Sequence, residues 1–323
     1  MTRNTIIVTG AIGFIGTNLV QALNERGYTN LLLVDHLDNT DKWKNFAHLD
    51  FDDYLDRSAF MELLQCGFNR EVRAIFHLGA CSSTTETDSN FLMENNYRYT
   101  QKLARWADIH SVPMILASSA ATYGDGRNGY SDQDSALSKY VPLNMYGMSK
   151  HLLDKWAERN GLYGRNLVGL KFFNVYGPHE DHKGDMSSVI LKSYYKILER
   201  GYVELFKSYL PQYKDGEQLR DFIYVDDVVK VMLYFFDNPS SHGLYNCGTG
   251  QPRSWNDLAR SVFKAMQRTE DIRYIEMPEQ LRGKYQYYTC ADTKKLREAG
   301  YEAEFTSLED GAAKYVAYLN SIQ

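Results

Sequence analysis

The sequence predicts an α/β protein: a doubly wound parallel sheet with a smaller α/β lobe toward the C-terminus. Three observations predict it. Thr5-Ile6-Ile7-Val8-Thr9 is a short β-branched apolar run, as a strand buried on both faces requires, and it leads directly into Gly10-Ala11-Ile12-Gly13-Phe14-Ile15-Gly16. Later apolar runs at 31–34, 74–78 and 113–117 alternate with helix-like stretches, the order of a parallel sheet with crossover helices. Small or polar residues follow each run, and ligands of such sheets sit beyond the carboxyl ends of the strands.

In chain order, the glycine-rich stretch comes first. Leu19, Val20 and Leu23 follow it at helical spacing, so Gly10, Gly13 and Gly16, with Phe14 and Ile15 between them, occupy a strand-to-helix turn. There the backbone can approach a pyrophosphate, and the helix N-terminus can receive its charge. The strand at 31–34 ends at Asp35, 19 residues after Gly16, where an acidic side chain can hold a ribose hydroxyl. A carboxylate at that point suggests NAD, because it repels the extra phosphate of NADP. His36, Lys42 and Arg57 are nevertheless close enough in sequence to surround a 2′-phosphate, and they tip the reading to NADP, with NAD as the alternative.

A helical stretch near 58–65 precedes the strand at 74–78. That strand delivers Leu78 and the turn Gly79-Ala80-Cys81-Ser82-Ser83, whose small residues let the backbone approach a cofactor. Asn95 lies at or near the start of the helix that runs through Leu103 and Trp106; it either bridges strand ends and cofactor or caps the helix. The strand at 113–117 carries Ser118 and Ser119 at its carboxyl end, the ligand edge of the sheet.

Tyr146 and Lys150 stand four residues apart in Asn144-Met145-Tyr146-Gly147-Met148-Ser149-Lys150, so a helix presents phenol and ammonium on one face. A tyrosine is a poor base at neutral pH, and a fixed positive charge nearby favours its phenolate. Serine, tyrosine and lysine together can bind an alcohol oxygen, remove its proton and leave its carbon ready to give up hydride. Beyond this point, 189–198 reads as helix, 203–206 as strand, 228–233 as a core helix and 245–250 as a strand and turn. The division expected is a dinucleotide-binding domain at 1–172, with a return to it at about 222–250, and a mainly substrate-binding lobe at 173–323.

Composition narrows the partners. The 36 Lys and Arg against 41 Asp and Glu give a net charge of −5 with no basic block, which argues against nucleic acid and for a small-molecule ligand. Cys66, Cys81, Cys247 and Cys290 are far apart and form no Cys-x-x-Cys pair, so a reducing compartment fits better than a disulfide frame or a zinc site. The chain begins without an apolar signal segment and has no 18-residue apolar window, so a soluble cytoplasmic protein without a membrane partner is expected.

Thr9-Gly10-x-x-Gly13-Phe14-Ile15-Gly16, Ser118-Ser119, Tyr146-x-x-x-Lys150, Asn174-Val175-Tyr176-Gly177-Pro178 and Arg220-Asp221-Phe222-x-Tyr224-Val225 resemble the extended short-chain dehydrogenase/reductase superfamily of nucleotide-sugar enzymes. The strings Gly79-Ala80-Cys81-Ser82-Ser83-Thr84-Thr85-Glu86, Ser118-Ser119-Ala120-Ala121-Thr122-Tyr123-Gly124 and His182-Lys183-Gly184 look like the ADP-glyceromanno-heptose 6-epimerase family within it. The resemblance implies a Rossmann domain holding NADP and an ADP-heptose as substrate. It also implies a place in making the heptose of lipopolysaccharide core, and a homo-oligomer, commonly a pentamer.

By the same resemblance, Tyr146 is the acid/base tyrosine, Lys150 assists it, Ser119 sits at the reacting oxygen and Lys183 is the second acid/base group. Inversion presents the alcohol from two directions, and one fixed side chain cannot reach both at hydrogen-bond distance. Val175 and Lys183 join the cofactor contacts. Asn174, Asp185, Lys192, Phe206, Lys207, Ser208, Tyr209, Arg220 and Tyr285 fall at substrate positions, Arg220 at the diphosphate, where its planar fork suits phosphate oxygens.

This chain departs from the family pattern at Asp185, where serine is usual, and at Lys192, where histidine is usual. Ala120 and Ala121 occupy the places where a 4,6-dehydratase needs acidic residues. A UDP-hexose 4-epimerase keeps the same triad but does not explain His182-Lys183-Gly184, and a non-catalytic dinucleotide sensor would not need the whole set. The two histidines and three carboxylates within 179–185 follow no closed metal-site spacing, so a charged lid over the sugar is expected there and no metal.

Overall fold

The computed structural model describes residues 4–37, 41–283 and 285–322; residues 1–3, which lead into the first predicted strand, and Lys284, beside Tyr285, lie outside them. Strands β1 (Thr5–Thr9), β2 (Leu31–Asp35), β3 (Asp53–Asp56), β4 (Val72–His77), β5 (Met114–Ser119) and β6 (Leu167–Phe172) come first. They are joined through helices α1 (Phe14–Glu25), α2 (Arg57–Gly67), α3 (Ser89–Leu92), α4 (Tyr99–Ile109) and α5 (Met145–Arg159). Then follow β7 (Asn174–Tyr176), α6 (Val189–Arg200), β8 (Val203–Phe206), β9 (Leu219–Arg220), β10 (Phe222–Tyr224), α7 (Val225–Asp237) and β11 (Gly243–Cys247). The chain closes with β12 (Arg253–Ser254), α8 (Trp255–Ala265), β13 (Ile272–Ile275), the short α9 (Glu279–Arg282) and α10 (Lys294–Glu298), and α11 (Leu308–Ser321).

Seven parallel strands form the central sheet in the order β11-β6-β5-β4-β1-β2-β3. The order reverses between β4 and β1, which opens a crevice at their carboxyl ends. Both faces are covered, as the unbroken apolar strands require. Ile6, Val8, Leu31 and Leu33 pack with Leu19, Val20 and Leu23 of α1 and with Val228, Met232 and Phe236 of α7. Their neighbours Ile7, Leu32 and Val34 face the other way, onto Phe60 and Leu64 of α2, Leu103 of α4 and Leu153 of α5. A third core lies outside the sheet, where Ile190, Tyr194, Leu205, Phe222, Leu258, Val262 and Tyr315 pack together.

Element types follow the sequence reading, with differences at the ends. β4 starts at Val72 and stops at His77, and β5 runs on to Ser119, so both of its serines are strand residues. Between α3 and α4 the helix passes through a π-helical turn, Met93–Arg98, that holds Asn95 and Asn96. Asn96 is fully buried there and pins the turn after β4, accepting from the Cys81 N–H and donating to the Cys81 carbonyl, each at 2.9 Å. β6 hides a charged residue, Lys171, within an apolar run.

Asp221, between β9 and β10, ties two distant segments to one carboxylate. It accepts from Thr249 N–H and hydroxyl at 2.7 Å, and from Gly250 N–H and Ala291 N–H at 2.9 Å. Asp221→Ala strands these buried donors, and chemical denaturation is expected to show a loss on the order of 3 kcal/mol.

Candidate active site

Two glycines bring the crevice walls into backbone contact. Gly10 has φ +68°, and a Cβ there would stand 2.5 Å from the Gly79 nitrogen; a Cβ on Gly16 would meet the Gly10 carbonyl oxygen at 2.0 Å. The turn after β1 and the turn after β4 therefore touch with no side chain between them. α1 starts at Gly13 with no side-chain cap and no acid in its first turn, so its leading N–H groups remain for an anion.

At one end of this cradle a cavity of about 260 Å³ is lined by Asp35, His36, Lys42, Arg57, Cys81, Asn95 and Tyr99. Asp35 accepts from the Ile12 N–H at 2.8 Å and the His36 N–H at 2.7 Å, and its carboxylate pairs with the Lys42 ammonium. The negative charge that opposes a 2′-phosphate is thus partly neutralised from within. His36 bonds Asp56 at 3.0 Å, and Arg57 donates to Asn95.

The larger cavity, about 480 Å³, continues past the glycines to the chemical end. Its wall holds Gly10, Gly13, Phe14, Ile15, Gly16, Leu78, Gly79, Ala80, Ser82, Ser119, Tyr146, Lys150, Asn174, Val175 and Lys183. α5 delivers the tyrosine because the Asn144 side chain caps Gly147 N–H at 2.8 Å. Gly147 is required as well, since a Cβ would lie 2.8 Å from the Ala121 carbonyl. Ser119 and Tyr146 line the same wall; burial pushes the Tyr146 phenol up from its usual range, and the nearby Ser119 hydroxyl offsets part of that rise. Lys150 donates to the Ala117 carbonyl at 2.7 Å, and burial lowers its ammonium to about 8. In this arrangement the lysine is anchored on β5 and does not contact the phenol oxygen; burial sets the direction of the tyrosine's shift.

Segment 178–188 crosses the cleft mouth as a strap tied at both ends. Asn18 of α1 donates to the Pro178 carbonyl at 3.0 Å, and buried Glu180 accepts from Ser188 N–H at 2.6 Å and Ser188 hydroxyl at 2.5 Å. Lys183 lies over the Phe14 ring, 5.1 Å from its centroid, and burial lowers its ammonium. His182 also faces the cavity; burial, Lys42 and Lys183 lower it to about 4, so it is neutral at pH 7. His179 instead stacks edge-on against Tyr318. The expected lid is a fixed strap whose side chains diverge.

The substrate-side positions divide into three groups. Asn174 is on the cavity wall. Asp185 and Lys192 sit at the strap, where Lys192 donates to the Asp185 carbonyl at 2.6 Å. Phe206, Lys207, Ser208, Tyr209, Arg220 and Tyr285 lie outside the cavity wall. Lys207 pairs with Glu276 at 2.7 Å, Tyr209 also bonds Glu276, and the Ser208 N–H donates to Asp215 at 2.8 Å. Arg220 is buried between Trp255, at 5.6 Å, and Tyr285, at 5.0 Å, with Trp255 itself on the cavity wall. Its guanidinium donates to the Leu219 carbonyl at 2.9 Å, and the titratable groups acting on it are Tyr285, Tyr130 and Tyr213. Sequence reasoning missed Trp255, His182 as a wall residue, and the buried Asp154 and Lys171; a lysine inside an apolar strand run was the signal for the last.

A glycine cradle at the sheet's switch point, an uncapped helix N-terminus and a Ser/Tyr/Lys set beyond it define a dinucleotide-binding protein that works on an alcohol or carbonyl. A model of the NAD dependent epimerase/dehydratase family matches residues 6–248. The chain is 51% identical over 311 residues, 96% of each chain, to an ADP-L-glycero-D-manno-heptose-6-epimerase of Nitratidesulfovibrio vulgaris. It is 44% identical over 330 residues, 98% of each chain, to the enzyme of the same name from Pseudomonas aeruginosa. A crystal structure of the Helicobacter pylori enzyme of that name superposes with a TM-score of 0.83 at 26% identity, covering 99% of this chain and 97% of the other. The chain belongs to the NAD dependent epimerase/dehydratase family and, within it, to the isomerases that these relatives represent.

The cradle is testable by itself. Gly16→Ala forces the β1–α1 turn off the Gly10 carbonyl, and the purified variant is expected to carry less than a tenth of the wild-type dinucleotide, read by absorbance of the released cofactor.

Proposed function

We propose that the protein interconverts ADP-D-glycero-β-D-manno-heptose and ADP-L-glycero-β-D-manno-heptose by inverting carbon 6, using tightly bound NADP, as a step toward lipopolysaccharide core. The observation that carries the reading is that Tyr146 with Ser119, on the sheet side, and Lys183, on the strap, line one cavity. Bound nicotinamide supplies a reversible hydride acceptor at the alcohol carbon. The protein's own residues then manage the proton. Tyr146 beside Ser119, in its phenolate form, takes it from the alcohol on one face, and the Lys183 ammonium returns one to the oxygen from the other. Once the carbonyl has turned, Lys183 stands at the other face, and burial lowers its ammonium toward the working pH.

Further residues support the cofactor and substrate assignments. Lys42 offsets the Asp35 charge, and Arg57 and His36 line the smaller cavity, which favours a 2′-phosphorylated dinucleotide. Arg220, buried among tyrosines, suits the ADP diphosphate, with Tyr285 and the 206–209 segment assigned beside the nucleotide. Ala120 and Ala121, following Ser119, offer no acid to expel water, so dehydration is not supported. No helix among the described residues is long and apolar enough to cross a membrane.

The purified protein, given ADP-D-glycero-D-manno-heptose and UDP-galactose separately, is expected to convert the first and leave the second; the reverse result sinks the reading. Tyr146→Phe and Lys183→Met are each expected to lower kcat by roughly 10²- to 10⁴-fold while retaining bound dinucleotide. Turnover of the wild type is expected to fall as pH rises past about 8, where Lys150 gives up its proton.

A further inference from the structure

Behind the cavity, and touching none of the space a ligand would fill, is a pair of full charges sealed from solvent. Lys171 of β6 and Asp154 of α5 both have 0% exposed side chains, and their Nζ and Oδ2 atoms are 2.6 Å apart. Taking two such charges out of water costs so much that replacing a buried pair by apolar residues is often neutral or stabilising. Stability alone is therefore a weak reason for this pair to exist, and its connections suggest another.

Several links from the pair run toward the Ser119, Tyr146 and Lys150 group. Asp154 is one helical turn beyond Lys150, which is one turn beyond Tyr146. These successive turns of α5 meet the last residues of β5: Asp154 accepts from the Ser118 hydroxyl at 2.8 Å, Lys150 donates to the Ala117 carbonyl at 2.7 Å, and Tyr146 shares a cavity wall with Ser119. Lys171 sits opposite Ser118 in the β5–β6 register. It donates to the Thr122 hydroxyl at 2.7 Å, and that hydroxyl donates to the Ser119 carbonyl at 2.8 Å. Tyr163 donates to the second oxygen of Asp154 at 3.3 Å, so the carboxylate has little freedom to turn.

We infer that Asp154 and Lys171 are positioning residues for the reaction: their ion pair clamps α5 onto the ends of β5 and β6 so that the phenol stands beside Ser119 and Lys150 stays one helical turn from a fixed carboxylate. The inference deepens the proposed function and rests on its assignment of Tyr146 and Lys150. The groups facing Lys150 are few. From its own helix they are Tyr146 and Asp154; from the turn after β4, Cys81; and from β4, His77, which burial and Lys150 lower to about 3 so that it stays neutral. Asp154 is thus the fixed anion that opposes the desolvation of the Lys150 ammonium.

The test uses the whole chain with its bound cofactor. In Asp154→Asn the counter-charge is gone, so Lys150 loses its proton at lower pH. Lysine labelled at Cε, with the Lys150 resonance identified by its loss in Lys150→Met, is expected to titrate about one unit lower than in the wild type. The alkaline limb of kcat shifts by the same amount, kcat falls on the order of 100-fold with KM within about twofold, and Asp154→Glu restores most of it. An unmoved Lys150 midpoint or a wild-type kcat overturns the inference. Should Asp154→Asn fail to fold, Asp154→Leu with Lys171→Met keeps the shape without charge. That variant is expected to melt at or above the wild-type temperature and still lose kcat, and wild-type kcat in it overturns the clamp. Failure of the proposed reaction is separable: a wild type that turns over no ADP-heptose sinks the function and leaves the Lys150 titration to decide this inference alone.

Discussion

The contact on which the molecule depends is the one between the turn after β1 and the turn after β4, where Gly10 and Gly79 meet backbone to backbone and Gly16 closes on Gly10. A methyl group at either of the first turn's glycines would push the crevice walls apart. Because β1 and β4 are hydrogen-bonded neighbours at the point where strand order reverses, this closeness also decides how near a ligand can come to the N-terminus of α1. The fold builds outward from there. α1 and α7 cover one face and α2, α4 and α5 the other, which leaves the strand ends as the one edge where polar side chains can gather.

Burial acts in a consistent way on the groups that gather there. It disfavours the charged form of each, raising the Tyr146 phenol and lowering the ammonium groups of Lys150 and Lys183, so groups of nearly equal strength in water are pushed in opposite directions. The same desolvation keeps His77 and His182 neutral, so the cations of the site are lysines and arginines at fixed places. A simple picture in which Lys150 lowers Tyr146 through direct contact does not describe this arrangement. The ammonium is spent on the Ala117 carbonyl, and the tyrosine's proton is governed by the Ser119 hydroxyl and by whatever charge a bound ligand brings.

Much of this was legible in the sequence because local pattern and global fold agree. The β-branched run at 5–9, the glycine turn and the helical spacing of Leu19, Val20 and Leu23 each report on neighbours close along the chain. Tyr146 and Lys150 could be paired for the same reason. Residues whose partners are distant were not legible in that way. Trp255 joins the cavity from α8, more than 100 residues beyond Tyr146, and the partner of Lys171, Asp154, is seen only when α5 is set against β6. Arg220 shows the reverse case: the sequence marked it, and only the fold reveals that aromatic rings surround it.

The strap at 178–188 turns these separate features into one device. Its first end is held by Asn18, which leaves the same helix whose N-terminus faces the cradle, and its second end is held by Glu180 on Ser188, the residue that caps α6 of the third core. The Glu180–Ser188 bonds close the segment into a loop between the helix that bears Asn18 and the start of α6. Lys183 lies between those ends, over Phe14, so its distance from the reacting alcohol is set by both halves of the molecule at once. With Tyr146 on α5 and Lys183 on the strap, the two groups to which the proposed reaction gives proton transfer belong to different parts of the fold, and on that proposal the separation lets them address opposite faces of a carbon without competing for the same space.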